Sequence, residues 1–91
     1  MSDDLNRQIA AAARTVMDDH GITQTQIAAL IGKSQQYVSD RMGGKRAMSL
    51  DILGAIATLA HLSPRAVMVE ITDRMARAGD PPAPAGTPVS P

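Results

Sequence analysis

Apolar residues recur at helical spacing along the first twenty residues of the chain. They follow one another at intervals of one, three or four positions, which places them on one face of an α-helix. The positions are Leu5, Ile9, Ala12, Ala13, Val16 and Met17. Asp3 and Asp4 lie where a helix N-terminus favours negative charge, and Gly21 lies where the helix can end. The pattern therefore predicts a first helix that ends before Gly21.

The second predicted helix is short. Thr23 and, three residues later, Gln26 have the sequence of a capping box at its start. Gly32 ends the helix, which we expect at about residues 24–31. Its predicted buried side chains are Ile27, Leu30 and Ile31.

A third short helix is expected directly afterwards, at about residues 35–42. Ser34 can cap its start, and the glycine pair at residues 43–44 can end it. Val38 and Met42 lie four residues apart, so they face the core together.

Two further helices complete the predicted domain. Ser49 can cap the fourth, and Pro64 starts the fifth, because proline at the first helical position loses no hydrogen bond. The residues of the fourth helix predicted to face inward are Leu50, Leu53, Ile56, Ala57 and Leu59. The apolar residues of the fifth helix are Val67, Met68, Val69, Ile71 and Met75. No segment alternates as a strand does. The sequence therefore predicts an all-α, compact five-helix fold.

Length and composition favour one domain. The chain has 91 residues, 44% of them apolar, and Tyr37 is its only aromatic residue, so the core must be aliphatic. Five of the six prolines follow Gly79. We expect residues 1–78 to fold and residues 79–91 to form a disordered, proline-rich tail. Without cysteine there is no disulfide.

Charge is balanced overall but uneven along the chain. Nine basic and nine acidic side chains give a net charge of zero. Between residues 33 and 46, however, Asp40 is the only acidic residue, and the basic residues are Lys33, Arg41, Lys45 and Arg46. A basic segment is typical of contact with phosphates, so the neutral average conceals a candidate nucleic-acid-binding segment.

Nothing in the sequence gives positive support for catalysis. The Gly-Lys-Ser triplet at residues 32–34 is similar to the end of a nucleotide-binding loop, but that loop needs a glycine where this chain has Ile27. His20 and His61 lie near predicted helix ends, with no second histidine or acidic residue at metal-ligand spacing. We expect no enzyme activity, no metal, no cofactor and no small-molecule substrate.

The sequence also predicts no membrane segment. Its start is acidic, unlike the basic region and apolar run of a secretory signal. The longest uncharged stretches, residues 20–32 and 52–64, are shorter than the roughly 20 apolar residues that a membrane span needs. We expect a soluble protein of the cytoplasm, in a bacterium or a phage-infected cell.

Helices 2 and 3 are spaced as in a helix-turn-helix. Ala28 has the small side chain needed where two helices approach at a steep angle, and Gly32, four residues later, suits the positive φ of a tight turn. Val38, six residues further, fills the angle between the helices. Residues 23–45 resemble the lambda repressor and Cro-like helix-turn-helix family, and the similarity extends over about residues 18–68.

The resemblance implies a DNA-binding domain whose third helix lies in the major groove. It implies that Gln24 binds a phosphate and braces Gln35. The implied base-reading residues are Gln35, Gln36, Ser39 and Asp40, and glutamine can pair with adenine through N6 and N7. Helical geometry agrees, since steps of about 100° put Gln36 and Asp40 nearly opposite Val38. The implied DNA-backbone contacts are Gln24, Ser34, Tyr37, Arg41, Lys45 and Arg46.

The family pattern is not matched at every position. Arg41 and Met42 stand where many members have an apolar residue and glutamate, so we expect Met42 to make the core contact. Asp40 is acidic on the groove face, where it can accept a hydrogen bond from cytosine N4 or pair with a neighbouring arginine. His61 stands where the family often has glycine, and histidine adopts the left-handed conformation less readily. We therefore expect helix 4 to end differently.

The leading hypothesis is a sequence-specific transcription regulator that binds double-stranded DNA, of the kind that phages and bacteria use as repressors. One helix-turn-helix reads few bases, so we expect a homodimer on half-sites about one helical turn apart. Helix 5 is the candidate dimer surface, although a wide apolar face can equally belong to the core. The candidate residues are Val67, Met68, Ile71 and Met75.

An alternative is a protein-interaction module, antitoxin-like or accessory, that keeps the fold without binding DNA. The zero net charge and the acidic Asp40 favour it. The basic segment and the three glutamines Gln24, Gln35 and Gln36 oppose it. Salt-dependent binding to duplex DNA distinguishes the two, because only a protein that neutralises phosphates loses affinity steeply with salt.

Overall fold

The structure, a computed structural model, describes residues 2–79, with side chains from residue 4 to residue 77. These residues form five α-helices and no strand, which confirms the predicted fold class. The helices are α1 (Ser2–Asp19), α2 (Gln24–Ile31), α3 (Gln35–Met42), α4 (Leu50–Ala60) and α5 (Pro64–Gly79). Gly79 is the last residue of α5, and the rest of the predicted tail lies outside the described residues.

The core between the helices is built from aliphatic side chains. α1 packs against α3 and α5, and α4 packs against α2 and α5, so one cluster of buried residues joins all five helices. Each large apolar side chain that is fully buried stabilises the fold by about 1.5–3 kcal/mol. The fully buried members are Val16, Ile27, Val38, Met42, Ile52, Ile56 and Val67.

Two leucines that were predicted to be buried, Leu30 and Leu50, are exposed, and so is Leu5 on the apolar side of α1. The exposed fractions of Leu5, Leu30 and Leu50 are 51%, 49% and 84%. In α4 the buried face is centred on Ile52 and Ile56. Leu50 precedes Ile52 by two residues, which is about 200° of helical rotation, so it points to the opposite side. The prediction for Leu50 was wrong because it did not identify Ile52 and Ile56 as the centre of the buried face of α4.

α5 buries only one row of its apolar residues. Val67 and Ile71 lie in the core, and Met75 packs beside them, whereas Met68 and Val69 are exposed. A dimer surface on α5 therefore cannot use Val67 or Ile71, because these side chains already pack within the chain.

Among residues 2–79, no single helix is long and apolar enough to cross a membrane; α4 and α5 pass that test only together, as a pair bent by 103°.

Left-handed residues end α2 and α4 in the same way. Gly32 has φ 69° and ψ 31°, and its amide donates to the carbonyl of Ala28. His61 has φ 59° and ψ 38°, and the following Leu62 amide donates to the carbonyl of Ala57 at 2.9 Å. The expectation that helix 4 ends differently is wrong. Hydrogen bonds to the last turn offset the roughly 1–2 kcal/mol that a left-handed residue with a side chain costs.

Candidate nucleic-acid interface

Polar caps fix the starts of α2 and α3. Thr23 Oγ1 accepts a hydrogen bond from the Gln26 amide at 3.2 Å, and Gln26 Oε1 accepts one from the Thr23 amide at 2.9 Å. This is the predicted capping box. At the next helix, Ser34 Oγ accepts a hydrogen bond from the Tyr37 amide at 3.0 Å. Caps of this kind stabilise a helix by about 1 kcal/mol each, which matters for helices as short as these.

α1 holds the other end of α3. Arg14 Nη1 donates a hydrogen bond to the Met42 carbonyl, across 28 positions of sequence. Gly44 has φ 81° and packs so closely on α1 that a Cβ atom there would lie 2.9 Å from Arg7 Cα. No local pattern predicts these contacts, since their partners are distant in sequence. Together with the caps they fix α3 at both ends.

The loop after α3 presents two exposed cations. The Asp40 carbonyl accepts hydrogen bonds from the amides of Lys45 at 2.9 Å and Arg46 at 3.3 Å. Both side chains are exposed. Among the side chains of residues 4–77 the ion pairs lie on α1 and α5, and neither Lys45 nor Arg46 belongs to one of them. The loop therefore fixes two positive charges beside the end of α3.

The two sides of α3 differ sharply in burial. Val38 and Met42 face the core, with exposed fractions of 0% and 1%. Gln35, Gln36 and Ser39 are exposed on the outward side. Three of the four predicted base-reading residues are thus accessible together on one helix, and the fourth, Asp40, is half-buried beside them.

Gln35 is braced from α2, by a residue other than the expected one. Its Nε2 donates a hydrogen bond to Thr25 Oγ1. Gln24, the predicted partner, is half-buried at the first position of α2 and makes no such bond in the structure. A side chain of α2 therefore does hold Gln35, but it is Thr25 and not the neighbouring Gln24.

Gln36 is held by Asp40. Gln36 Nε2 donates a hydrogen bond to Asp40 Oδ1 at 2.7 Å, one helical turn away. Glutamine and aspartate four residues apart on a helix commonly interact in this way, so the spacing alone was a usable signal. Pairing of Asp40 with a neighbouring arginine, one of the two alternatives for this residue, is not present among the ion pairs of residues 4–77.

Tyr37 lies at the edge between the two sides of α3 and connects that helix to α4. Its hydroxyl lies 3.2 Å and 3.3 Å from the two carboxylate oxygens of Asp51, and 3.3 Å from Ser49 Oγ. The Arg41 guanidinium stacks 3.7 Å from the centre of the tyrosine ring, and Lys33 Nζ lies 5.2 Å from it. Tyr37 and Arg41, both predicted as DNA-backbone contacts, are therefore half-buried and bound to each other.

Asp51 is the acceptor at the centre of these contacts. The hydrogen bond from the Ser49 hydroxyl lowers the pKa of the Asp51 carboxyl most; burial opposes it, and Tyr37, the Ile52 amide and Lys33 lower the pKa further. Ser49 occupies the cap position of α4, as predicted, but its hydroxyl donates to Asp51 instead of accepting from a helix amide. Asp51 therefore stays ionised and holds the edge of α3 against α4.

A groove of about 340 Å³ lies elsewhere, between α1 and α5. It is lined by Arg7, Gln8, Ala11, Ala12, Thr15, Arg74 and Met75. Arg74 is already paired with Asp19 and Glu70. No group of three His, Asp or Glu side chains in the described part of the chain could hold a metal ion. The groove offers a packing surface but no set of metal ligands.

Comparison with known proteins agrees with this geometry. Two crystal structures of the clp gene regulator ClgR from Corynebacterium glutamicum are similar to the chain. One is 26% identical with a TM-score of 0.65, and the match covers 81% of this chain and 79% of that chain. The other is 25% identical with a TM-score of 0.61, and the match covers 78% and 92%. Among curated protein sequences, none matches significantly.

A family model described as helix-turn-helix matches residues 14–66, which is more than half of the chain. The matched part contains α2, the turn at Gly32 and the whole of α3. The chain thus belongs to the lambda repressor/Cro-like helix-turn-helix family of DNA-binding transcription regulators.

Proposed function

We propose that the protein is a sequence-specific regulator of transcription, a repressor of the phage or bacterial type, that inserts α3 into the major groove of double-stranded DNA. One observation supports this more than any other. The exposed glutamines Gln35 and Gln36 are oriented by hydrogen bonds on the outward side of α3, and the cations Lys45 and Arg46 follow directly. A single α-helix fits the major groove, where each base pair presents its own pattern of donors and acceptors.

In this proposal the outward side of α3 reads the bases. Gln35, Gln36 and Ser39 are exposed and can reach base edges. Because Thr25 and Asp40 hold the two glutamines before DNA binds, less side-chain entropy is lost on binding. Held side chains also discriminate better, since a wrong base leaves them unpaired.

The DNA backbone is assigned to residues on either side of these. Lys45 and Arg46 neutralise phosphates at the end of α3, and Gln24 and Ser34 bind phosphate oxygens at the starts of α2 and α3. Arg41 and Tyr37 stack on each other, so we assign them mainly to holding α3 in place. Only their outer edge is assigned to contact with the DNA backbone. In this assignment the contacts to the DNA backbone provide affinity, and the glutamines determine which DNA sequence is bound.

We further propose that residues 1–78 act as a homodimer in the cytoplasm, because one recognition helix reads too few bases for a unique site. Two copies related by a two-fold axis read half-sites one helical turn, about 34–36 Å, apart. On α5 the residues free for such contact are Met68 and Val69, whose exposed fractions are 44% and 59%. Substituting Val69 by Asp and measuring the mass in solution tests this surface.

Binding to a duplex over a range of salt concentrations tests the proposal. The logarithm of the association constant should fall linearly with the logarithm of the salt concentration, and Lys45→Ala should reduce that slope by about 1. Arg77→Ala is a matched control, because Arg77 is also an exposed cation but pairs with Asp73 on α5. Its slope should equal that of the unsubstituted protein.

The result that contradicts the proposal is specific. If neither genomic nor random duplexes bind at low salt, α3 does not read DNA in this protein. The remaining function for the same fold is then a protein-interaction module, which the zero net charge of the chain favours. Equal slopes for Lys45→Ala and Arg77→Ala would reject only the assigned phosphate contact.

A further inference from the structure

On the outward side of α3, the neutral amide of Gln36 is hydrogen-bonded to the carboxylate of Asp40. Gln36 Nε2 lies 2.7 Å from Asp40 Oδ1, and Gln36 is exposed. An ionised carboxylate can only accept hydrogen bonds. The amide nitrogen of Gln36 must therefore face Asp40, since a flipped amide would bring its carbonyl oxygen against a negative charge. Asp40 thus fixes which way round the Gln36 amide stands.

The amide edge that remains free has one donor and one acceptor. A glutamine amide has two N–H donors and one carbonyl oxygen. Asp40 takes one N–H of Gln36, so one N–H and the oxygen Oε1 are left for DNA. In the major groove adenine presents one acceptor, N7, and one donor, N6–H₂, whereas guanine presents two acceptors, N7 and O6. The free edge of Gln36 complements adenine and can satisfy only one of the two acceptors of guanine.

The neighbouring glutamine lacks this restriction. Gln35 bonds to Thr25 Oγ1, and a hydroxyl both donates and accepts. Either orientation of the Gln35 amide can therefore keep its hydrogen bond. The same type of side chain occupies adjacent positions, and only Gln36 has a partner whose charge decides its orientation.

We propose that Asp40 is a positioning residue that makes Gln36 select adenine over guanine, an inference that rests on the proposed DNA-binding function. Asp40 acts through Gln36 and does not itself read a base. Its backbone carbonyl separately accepts the amides of Lys45 and Arg46, so a side-chain substitution leaves that loop in place.

The test compares four proteins: the unsubstituted chain and the variants Gln36→Ala, Asp40→Asn and Asp40→Glu. Selection from random duplexes by the unsubstituted chain gives its preferred site, and the base whose preference is lost in Gln36→Ala is the one that Gln36 reads. Each protein is then titrated with two duplexes that differ only by adenine or guanine at that base. The ratio of the two affinities is the readout.

The unsubstituted chain should prefer adenine by about tenfold or more, within the range of one good bidentate contact. In Asp40→Asn the ratio should fall close to one, because asparagine is nearly isosteric but can pair with either orientation of the Gln36 amide. Asp40→Glu keeps a negative charge one helical turn from Gln36, so this variant should retain the preference for adenine. Loss of an acidic group also strengthens binding to all duplexes, but that effect cancels in the ratio.

Two outcomes overturn the inference while leaving the proposed function intact. The first is that Asp40→Asn keeps the adenine preference; the second is that Gln36 reads guanine. If instead the unsubstituted chain binds every duplex alike, or none, the proposed sequence-specific function itself fails. The failures are therefore distinguishable.

Discussion

The inner and outer sides of α3 are fixed by different forces, although they belong to the same eight residues. Inside, Val38 and Met42 are buried and held by apolar packing. Outside, Gln35 and Gln36 remain exposed and are held by single hydrogen bonds to Thr25 and Asp40. Packing resists change but offers nothing for a ligand to contact. Directed polar groups contribute little to stability but can recognise a base. The inner side therefore positions what the outer side presents.

The sharpest test of that contrast is Met42→Ala. Met42 is buried at the end of α3, and truncating a buried methionine costs about 2–5 kcal/mol through lost transfer energy and an unfilled cavity. The free energy of unfolding, measured with urea, should fall by that amount. Ser39→Ala, on the exposed side of the same helix, should change it by less than about 0.5 kcal/mol. Similar losses from both variants would mean that the two sides are not held differently.

The connection from α3 to α1 can be tested at Gly44. Its φ of 81° and the backbone of Arg7, 2.9 Å from an added Cβ, both oppose a side chain. Gly44→Ala should lower the free energy of unfolding by about 1–3 kcal/mol. Gly54→Ala is the matched control: Gly54 lies within α4 with nothing within 4 Å of an added Cβ, so alanine should stabilise by about 0.5–1 kcal/mol. In thermal or urea unfolding, the changes in the free energy of unfolding should have opposite signs for the two variants. If Gly44→Ala leaves this free energy unchanged, α1 does not constrain the loop.

On the outer side the expected effect moves from stability to binding. Gln36→Ala should leave the urea midpoint unchanged and cost about 1–3 kcal/mol of discrimination at one base of the site. Lys45→Ala should weaken binding to all duplexes alike, because a phosphate contact carries no sequence information. Affinities measured on the preferred duplex and on its single-base variants separate the two patterns. Uniform weakening by both variants would remove the distinction between reading and backbone residues.

The sequence was sufficient to predict the inner side of α3 and the fold that surrounds it. Gly32, the Thr23 capping box and the spacing of Val38 and Met42 each act within a few residues, so their physical consequences can be derived locally. The error at Leu50 had a different origin. A single apolar residue at a helix start can face either side, and only packing against the other helices decides.

The contacts that hold the outer side were less predictable. The Gln36–Asp40 bond follows from helical spacing and could have been found. The bond from Arg14 to Met42 and the packing of Gly44 on α1 join distant parts of the chain, so they need the assembled fold. The roles assigned to the outward residues in DNA binding remain predictions.

The smallest expected effect concerns the edge between the two sides, where Tyr37 meets Asp51. The hydrogen bond from Ser49, followed by those from Tyr37 and the Ile52 amide, holds the folded-state pKa of Asp51 below its unfolded value of about 3.9. A lowered pKa means that ionised Asp51 stabilises the fold above about pH 4, and that this stabilisation is lost as the pH falls through the folded-state pKa.

The difference in unfolding free energy between the unsubstituted chain and Asp51→Asn should therefore be largest above about pH 4 and should shrink as the pH falls through the folded-state pKa of Asp51. Urea unfolding at a series of pH values measures it. Ser49→Ala should flatten this dependence more than Tyr37→Phe, because the Ser49 hydroxyl is the larger cause of the lowered pKa. A difference that stays constant with pH would mean that the bonds from Tyr37 and Ser49 do not depend on the charge of Asp51. The hydrogen bonds at the edge of α3 would then hold it without a contribution from charge.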